Sequence, residues 1–168
     1  AAPSPGEGST ADLWETLATL AAADLGAARA VEPHLDALAI FRQAWRDVPP
    51  GTWGVFAAEG GDEPLTASGA GGDARLTGVK PWCSLADRLD GALVTAHLPD
   101  GGRGLFAVSL RSDDVEVMPG AWHARGFTEL PSGPVRFSGA PGLPVGDPGW
   151  YLARPGFAWG GIGAAASG

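Results

Sequence analysis

Between Arg46 and Trp53 the sequence changes its period, and Pro49-Pro50-Gly51 marks the change. Upstream, Leu13, Leu17, Leu20, Ala21 and Leu25 recur at spacings of three and four after Ser9-Thr10. That spacing puts them on one stripe of a helix, with Thr10 placed to cap its start and Gly26 as a weak point after it. A second helical pattern runs from about Pro33 to Arg46, and the Pro-Pro-Gly run stops it. Downstream, short apolar runs alternate with turn residues, which is the texture of a sheet. Strands are expected at 53–59, 91–98, 103–110, 115–118 and 134–137, with 74–82 as a short hairpin turning at Thr77-Gly78. The fold class that follows is α+β: a short N-terminal helical segment, then an antiparallel β-barrel-like domain of about six to eight strands.

Composition sharpens the domain reading. The 27 Gly and 15 Pro among 168 residues approach the range of low-complexity chains, but seven Trp, six Phe and 45% hydrophobic residues belong to a folded one. The chain divides into a disordered leader at 1–10, the helical segment at 11–48, the β-domain at 51–140, and an irregular connection at 141–168 in which a helix is expected to begin near Phe157. Nineteen acidic against eleven basic side chains give a charge of -8. Nucleic-acid binding needs a basic stripe, and these cations are scattered. One Cys excludes an internal disulfide framework or a cysteine-rich metal site, and a cytoplasmic location is expected. No apolar stretch reaches the roughly 18 residues of a membrane span.

Most local clusters have ordinary explanations. Gly69-Ala70-Gly71-Gly72 lacks the register of a phosphate or dinucleotide loop and reads as a hairpin turn. His34, His97 and His123 sit in separate elements without metal-ligand spacing. Cys83 has no nucleophile elbow around it and reads as a buried thiol. Asp62/Glu63 and Asp113/Asp114 read as solvated turns. Trp82 and Ser84 differ. Two residues apart on a strand, they share a face, so the indole offers a stacking surface and the hydroxyl an edge partner for a flat heteroaromatic ring.

Around that pair the order of short motifs resembles the middle β-domain of the acyl-CoA dehydrogenase family. The motifs are Ala57-Ala58-Glu59-Gly60, Gly72-Asp73, Leu76-Thr77-Gly78-Val79-Lys80, Trp82-Cys83-Ser84, Ala86-Asp87 and Leu93-Val94-Thr95-Ala96. Trp122 to Phe127, Ser132 to Phe137, Glu32 to Ala37 and Arg154 to Phe157 extend the resemblance over about residues 31–168.

The resemblance implies FAD as cofactor, with Trp82 against the isoalloxazine, Ser84 bonded near its reactive nitrogen, Phe56, Ala57 and Ala58 on the neighbouring strand, and Cys83 contributing backbone. It implies α,β-oxidation of an acyl thioester with hydride passing to flavin, an acyl-CoA or related thioester as substrate, and a homo-oligomer or a helical partner chain. Two departures stand out. Ala58 replaces the family's Thr, and Gly60-Gly61-Asp62-Glu63 lacks its Ser near the thioester. The family's base lies in a C-terminal helical bundle expected to begin where this sequence ends, so the chain is expected to be incomplete or inactive alone, and no residue within it stands out as a substitute. The alternative is a non-catalytic β-domain subunit or interaction module that needs a separate helical partner.

Overall fold

The computed structural model describes residues 3, 8–69, 71–118, 120, 122–154 and 156–157. Helices α1 (Thr10–Ala23) and α2 (Leu25–Gln43) lead into strands β1 (Trp53–Phe56), β2 (Thr66–Ser68), β3 (Arg75–Ser84), β4 (Gly91–His97), β5 (Arg103–Ser109), β6 (Val115–Val117), β7 (Ser132–Pro141) and β8 (Leu143–Pro144), and a short helix α3 (Trp150–Ala153) follows. The α+β class expected from the period change is the one observed. The eight strands form one curled sheet in the order β6-β7-β3-β2-β4-β5-β8, with β1 paired to β4. Most ladders are antiparallel, and β1 with β4 and β2 with β4 are parallel. No helix among the described residues is long and apolar enough to cross a membrane.

The helices part at Asp24, two residues before the glycine expected to break them. Its backbone is extended (φ -158°, ψ 107°), its N–H closes α1 on the Leu20 carbonyl, and its carboxylate accepts the Ala27 N–H at 3.0 Å. One residue thus ends one helix and caps the next, a cap typically worth about 1 kcal/mol. At the start of α1 the cap position is Ser9, and no side-chain bond closes there. Helix α2 starts eight residues earlier than the sequence reading and carries Pro33 inside it. Pro33 has no N–H to give the Arg29 carbonyl, and both residues face the cavity described below.

At β4 and β5 the sheet is buried on both faces, which is why these strands read as nearly unbroken apolar runs. Along them the side chains alternate strictly. Ala92, Val94, Ala96, Phe106 and Val108 fill the core inside the curl, whereas Leu93, Leu105 and Ala107 pack outward with Ala37, Ile40 and Phe41 of α2. Trp53 seals this second layer, edge-on to Phe41 at 5.0 Å, and its backbone N–H donates to His34 Nδ1 at 3.2 Å. The expected hairpin at 74–82 is instead a single ten-residue strand, β3. Gly78 (φ 126°) sits within it, where a Cβ would lie 2.5 Å from the Pro64 carbonyl. Its glycine serves close backbone approach, not a turn. The Gly69–Gly72 loop does join an antiparallel pair, β2 and β3. The expected helix from Phe157 lies almost wholly outside the described residues.

Candidate functional site

Near its end β3 gains a residue. Lys80 pairs with Val135 and Cys83 with Gly133, so Pro81 and Trp82 together oppose a single residue of β7. Proline suits such a bulge because it has no N–H to offer the ladder. Trp82 takes φ 57° there and is 63% exposed. A bulky residue in the left-handed region costs roughly 1–2 kcal/mol. Nothing in the core repays that cost, since the indole stands at the rim of a cavity.

The cavity, about 380 Å³, lies between the N-terminal half of α2 and the β1 and β3 strands. Phe56, Ala57 and Ala58 line one side, and Trp82 and Ser84 line another. Five of the six residues singled out in the sequence therefore meet at one place, although the bulge, and not plain alternation alone, aims Trp82. Cys83 points the other way. Its thiol is buried, bonded to the Lys80 carbonyl at 3.2 Å and pushed up to about 12 by burial, and it borders a separate apolar cavity with Met118 and Trp122. Its side chain is an inert core thiol, and only its backbone belongs to the cavity strand.

A polar clamp fixes the segment after β1. Glu59 accepts from Lys80 Nζ at 2.7 Å, forms an ion pair with Arg103 at 2.8 Å and meets His97 Nε2 at 2.9 Å. Burial opposes the Glu59 charge, but the hydrogen bonds and charges of Lys80, His97 and Arg103 outweigh it and hold the carboxyl below its ordinary value of 4.5. Lys80 is itself buried and also bonds Thr95 Oγ1 at 2.8 Å. With Thr95 reaching the Ala57 carbonyl at 3.5 Å, the clamp sets where Ala57 and Ala58 stand at the cavity.

Sequence reading missed the cavity floor. Arg29, Glu32 and Asp36 follow one face of α2 at spacings of three and four, and Tyr151 and Arg154 come from α3 and its end. Arg154 donates to Asp36 at 2.8 Å and to Gln43 at 3.0 Å, with its guanidinium 5.3 Å from the Tyr151 ring centre. The helical spacing of charges on α2 was the available signal. No group of His, Cys, Asp and Glu among the described residues could hold a metal.

The floor carboxyls titrate in an unusual direction. Burial raises both Glu32 and Asp36 above their ordinary 4.5 and 3.8, although Arg29 and Arg154 pull them back. A carboxyl raised by folding contributes stability that is complete below its ordinary value and is lost as pH rises through the folded value. Glu32→Gln is therefore expected to flatten the fall in stability from pH 4.5 upward. Urea midpoints across a pH series would show it, and an unchanged slope would sink the assignment.

No family model matches the sequence, and no curated protein does. Solved structures do. TdsC from Paenibacillus sp. A11-2, solved with FMN and indole, is 23% identical, with a TM-score of 0.71 over 86% of this chain and 41% of that one. The nitrososynthase of Micromonospora carbonacea var. africana is 20% identical, with a TM-score of 0.73 over 96% and 48%. KijD3 in complex with dTDP is 16% identical, with a TM-score of 0.74 over 96% and 48%.

The chain shares their fold.

The chain spans a little under half of the length of these structures. At these identities the likeness establishes architecture. The side chains at the cavity must be argued from their own chemistry.

Proposed function

We propose that this chain supplies the β-domain wall of a flavin site in an oxidoreductase of the acyl-CoA dehydrogenase fold. The observation that carries the reading is the convergence of Trp82, Ser84 and the Phe56–Ala58 segment on one cavity of about 380 Å³. That volume lies within the range of small-molecule sites. The residues fit an isoalloxazine: Trp82 offers a flat exposed face, Ser84 a hydroxyl at its edge, and Ala57 and Ala58 leave room for a ring beside their backbone. Bound flavin would supply two-electron chemistry that no side chain here can perform. Ser84 would hold the ring edge, the Glu59 clamp would fix the facing strand, and the Arg154–Asp36 pair would close the floor.

FAD was expected, and FMN is the flavin bound in the TdsC and KijD3 structures. Both carry the ring that the cavity fits. Oxygenation fits this chain better than acyl-CoA oxidation, because Gly60-Gly61-Asp62-Glu63 lacks the Ser expected beside a thioester. The solved structures of this fold include a dibenzothiophene monooxygenase and a methanesulfinate monooxygenase. Phe157, which lines the cavity, is exposed, so a helical partner surface or a second copy would close the open side. The test is titration of the purified chain with FMN and with FAD. Saturable quenching of flavin fluorescence is expected, and a chain that leaves both flavins unquenched refutes the site.

A further inference from the structure

The cavity that holds Trp82 has a neighbour, and Ser84 is the link between them. A second cavity of about 290 Å³ is walled by Leu85, Phe127 and Leu130, and it shares Arg29, Pro33 and Ser84 with the first. Ser132 lines only the second. Residues 84 and 132 are paired in register across β3 and β7, and their hydroxyl oxygens are 2.7 Å apart. Ser132 Oγ also lies 3.3 Å from the Leu130 carbonyl, which can only accept.

Two hydroxyls and one carbonyl in a row permit two proton arrangements with no heavy atom moving. In the first, Ser132 donates to Ser84, and the Ser84 proton faces the first cavity. In the second, Ser132 donates to the Leu130 carbonyl, Ser84 donates to Ser132, and Ser84 presents a lone pair to the cavity. The first serves a ligand atom that accepts a hydrogen bond, and the second serves one that donates. An oxidised isoalloxazine offers a bare nitrogen at its central ring edge, and reduction places an N–H there. We propose that Ser132 is a positioning residue that lets Ser84 bind both redox forms of the flavin, by accepting the Ser84 hydrogen bond when the ring nitrogen carries its own proton. The inference rests on the flavin reading above and adds to it a residue outside the ring's reach.

Removing the Ser132 hydroxyl spares the first arrangement, because Ser84 still has its own proton to donate. It disables the second, in which that proton loses its acceptor in a part-buried position. The test uses the full chain loaded with FMN, reduced with dithionite against a reference dye. Ser132→Ala is expected to bind oxidised FMN within about twofold of the wild type. It is also expected to bind the reduced form about tenfold less tightly, a midpoint potential lower by about 30 mV. Ser132→Thr, which restores a hydroxyl, is expected to return the wild-type potential, and Ser132→Cys, a weak partner of similar size, to fall on the Ala side. A Ser132→Ala potential equal to the wild type overturns the relay while leaving the flavin site standing. So does a Thr variant shifted as far as Ala, since bulk and not the hydroxyl would then be responsible. A wild-type chain that takes up no FMN refutes the site, and the relay with it.

Discussion

Arg154→Ala is expected to destabilise the fold by about 3–5 kcal/mol, the usual cost of removing one partner of a buried ion pair. The Arg154 side chain is 1% exposed and that of Asp36 13%, so the lost guanidinium leaves a carboxylate that water barely reaches. The residue also holds the end of α3 to α2 through Gln43, at a sequence separation of 111. On a chain of this size the loss corresponds to a melting temperature lower by about 10 °C. Two companion measurements separate the charge from the packing. The Asp36→Leu/Arg154→Met pair removes both charges and keeps volume, so it should recover most of the stability. Acid should also relieve Arg154→Ala, because Asp36, already raised by burial, takes up a proton once its counterion is gone. Urea unfolding of both variants at neutral and acid pH would check this. A single variant as stable as the wild type would mean that the pair holds nothing.

The parts of the fold that were legible in the sequence are those whose side chains repeat often enough to set a period. Helix α1 shows its stripe, and Leu13 and Leu17 are its buried residues. Strands β4 and β5 show as apolar runs on either side of Pro99-Asp100-Gly101-Gly102. The three-residue β2, the two-residue β8 and the four-residue α3 are too short to carry a period. Gly78 was misread because a glycine signals a turn and a close backbone approach equally well, and only the position of Pro64 decides between them. Pro33 was misread as a helix start because proline usually is one, whereas the Asp24 cap had already started α2.

The site divides along the same line. Trp82 and Ser84 lie two apart in sequence, which made the pair legible, whereas the bulge that aims Trp82 shows only in the β3–β7 register. The floor is assembled from residues 29–36 and 151–154, whose meeting depends on α3 folding back over α2. The second serine of the relay, 48 positions away, is visible only through the β3–β7 register.

Trp82 offers the sharpest separation between stability and function. The ring is exposed and is held at a positive φ by a bulge. Its removal therefore costs the core nothing, and alanine pays the same backbone strain. Trp82→Ala is expected to leave the unfolding free energy, read from urea melts, within about 0.5 kcal/mol of the wild type. It is expected to weaken flavin binding by about 2 kcal/mol, roughly 30-fold, the scale on which an aromatic platform holds a stacked heterocycle. Trp82→Phe keeps a smaller face and should fall between the two. Glycine, which tolerates φ 57° freely, should stabilise the empty protein slightly while binding as poorly as alanine. That opposition decides the matter. If the bulge existed only for the strand, the glycine variant would be better folded and would bind flavin no worse. If it exists to present an indole to a ring, the variants that relieve or ignore the strain are the ones that lose the cofactor, and fluorescence titration beside urea unfolding reads both quantities on the same samples.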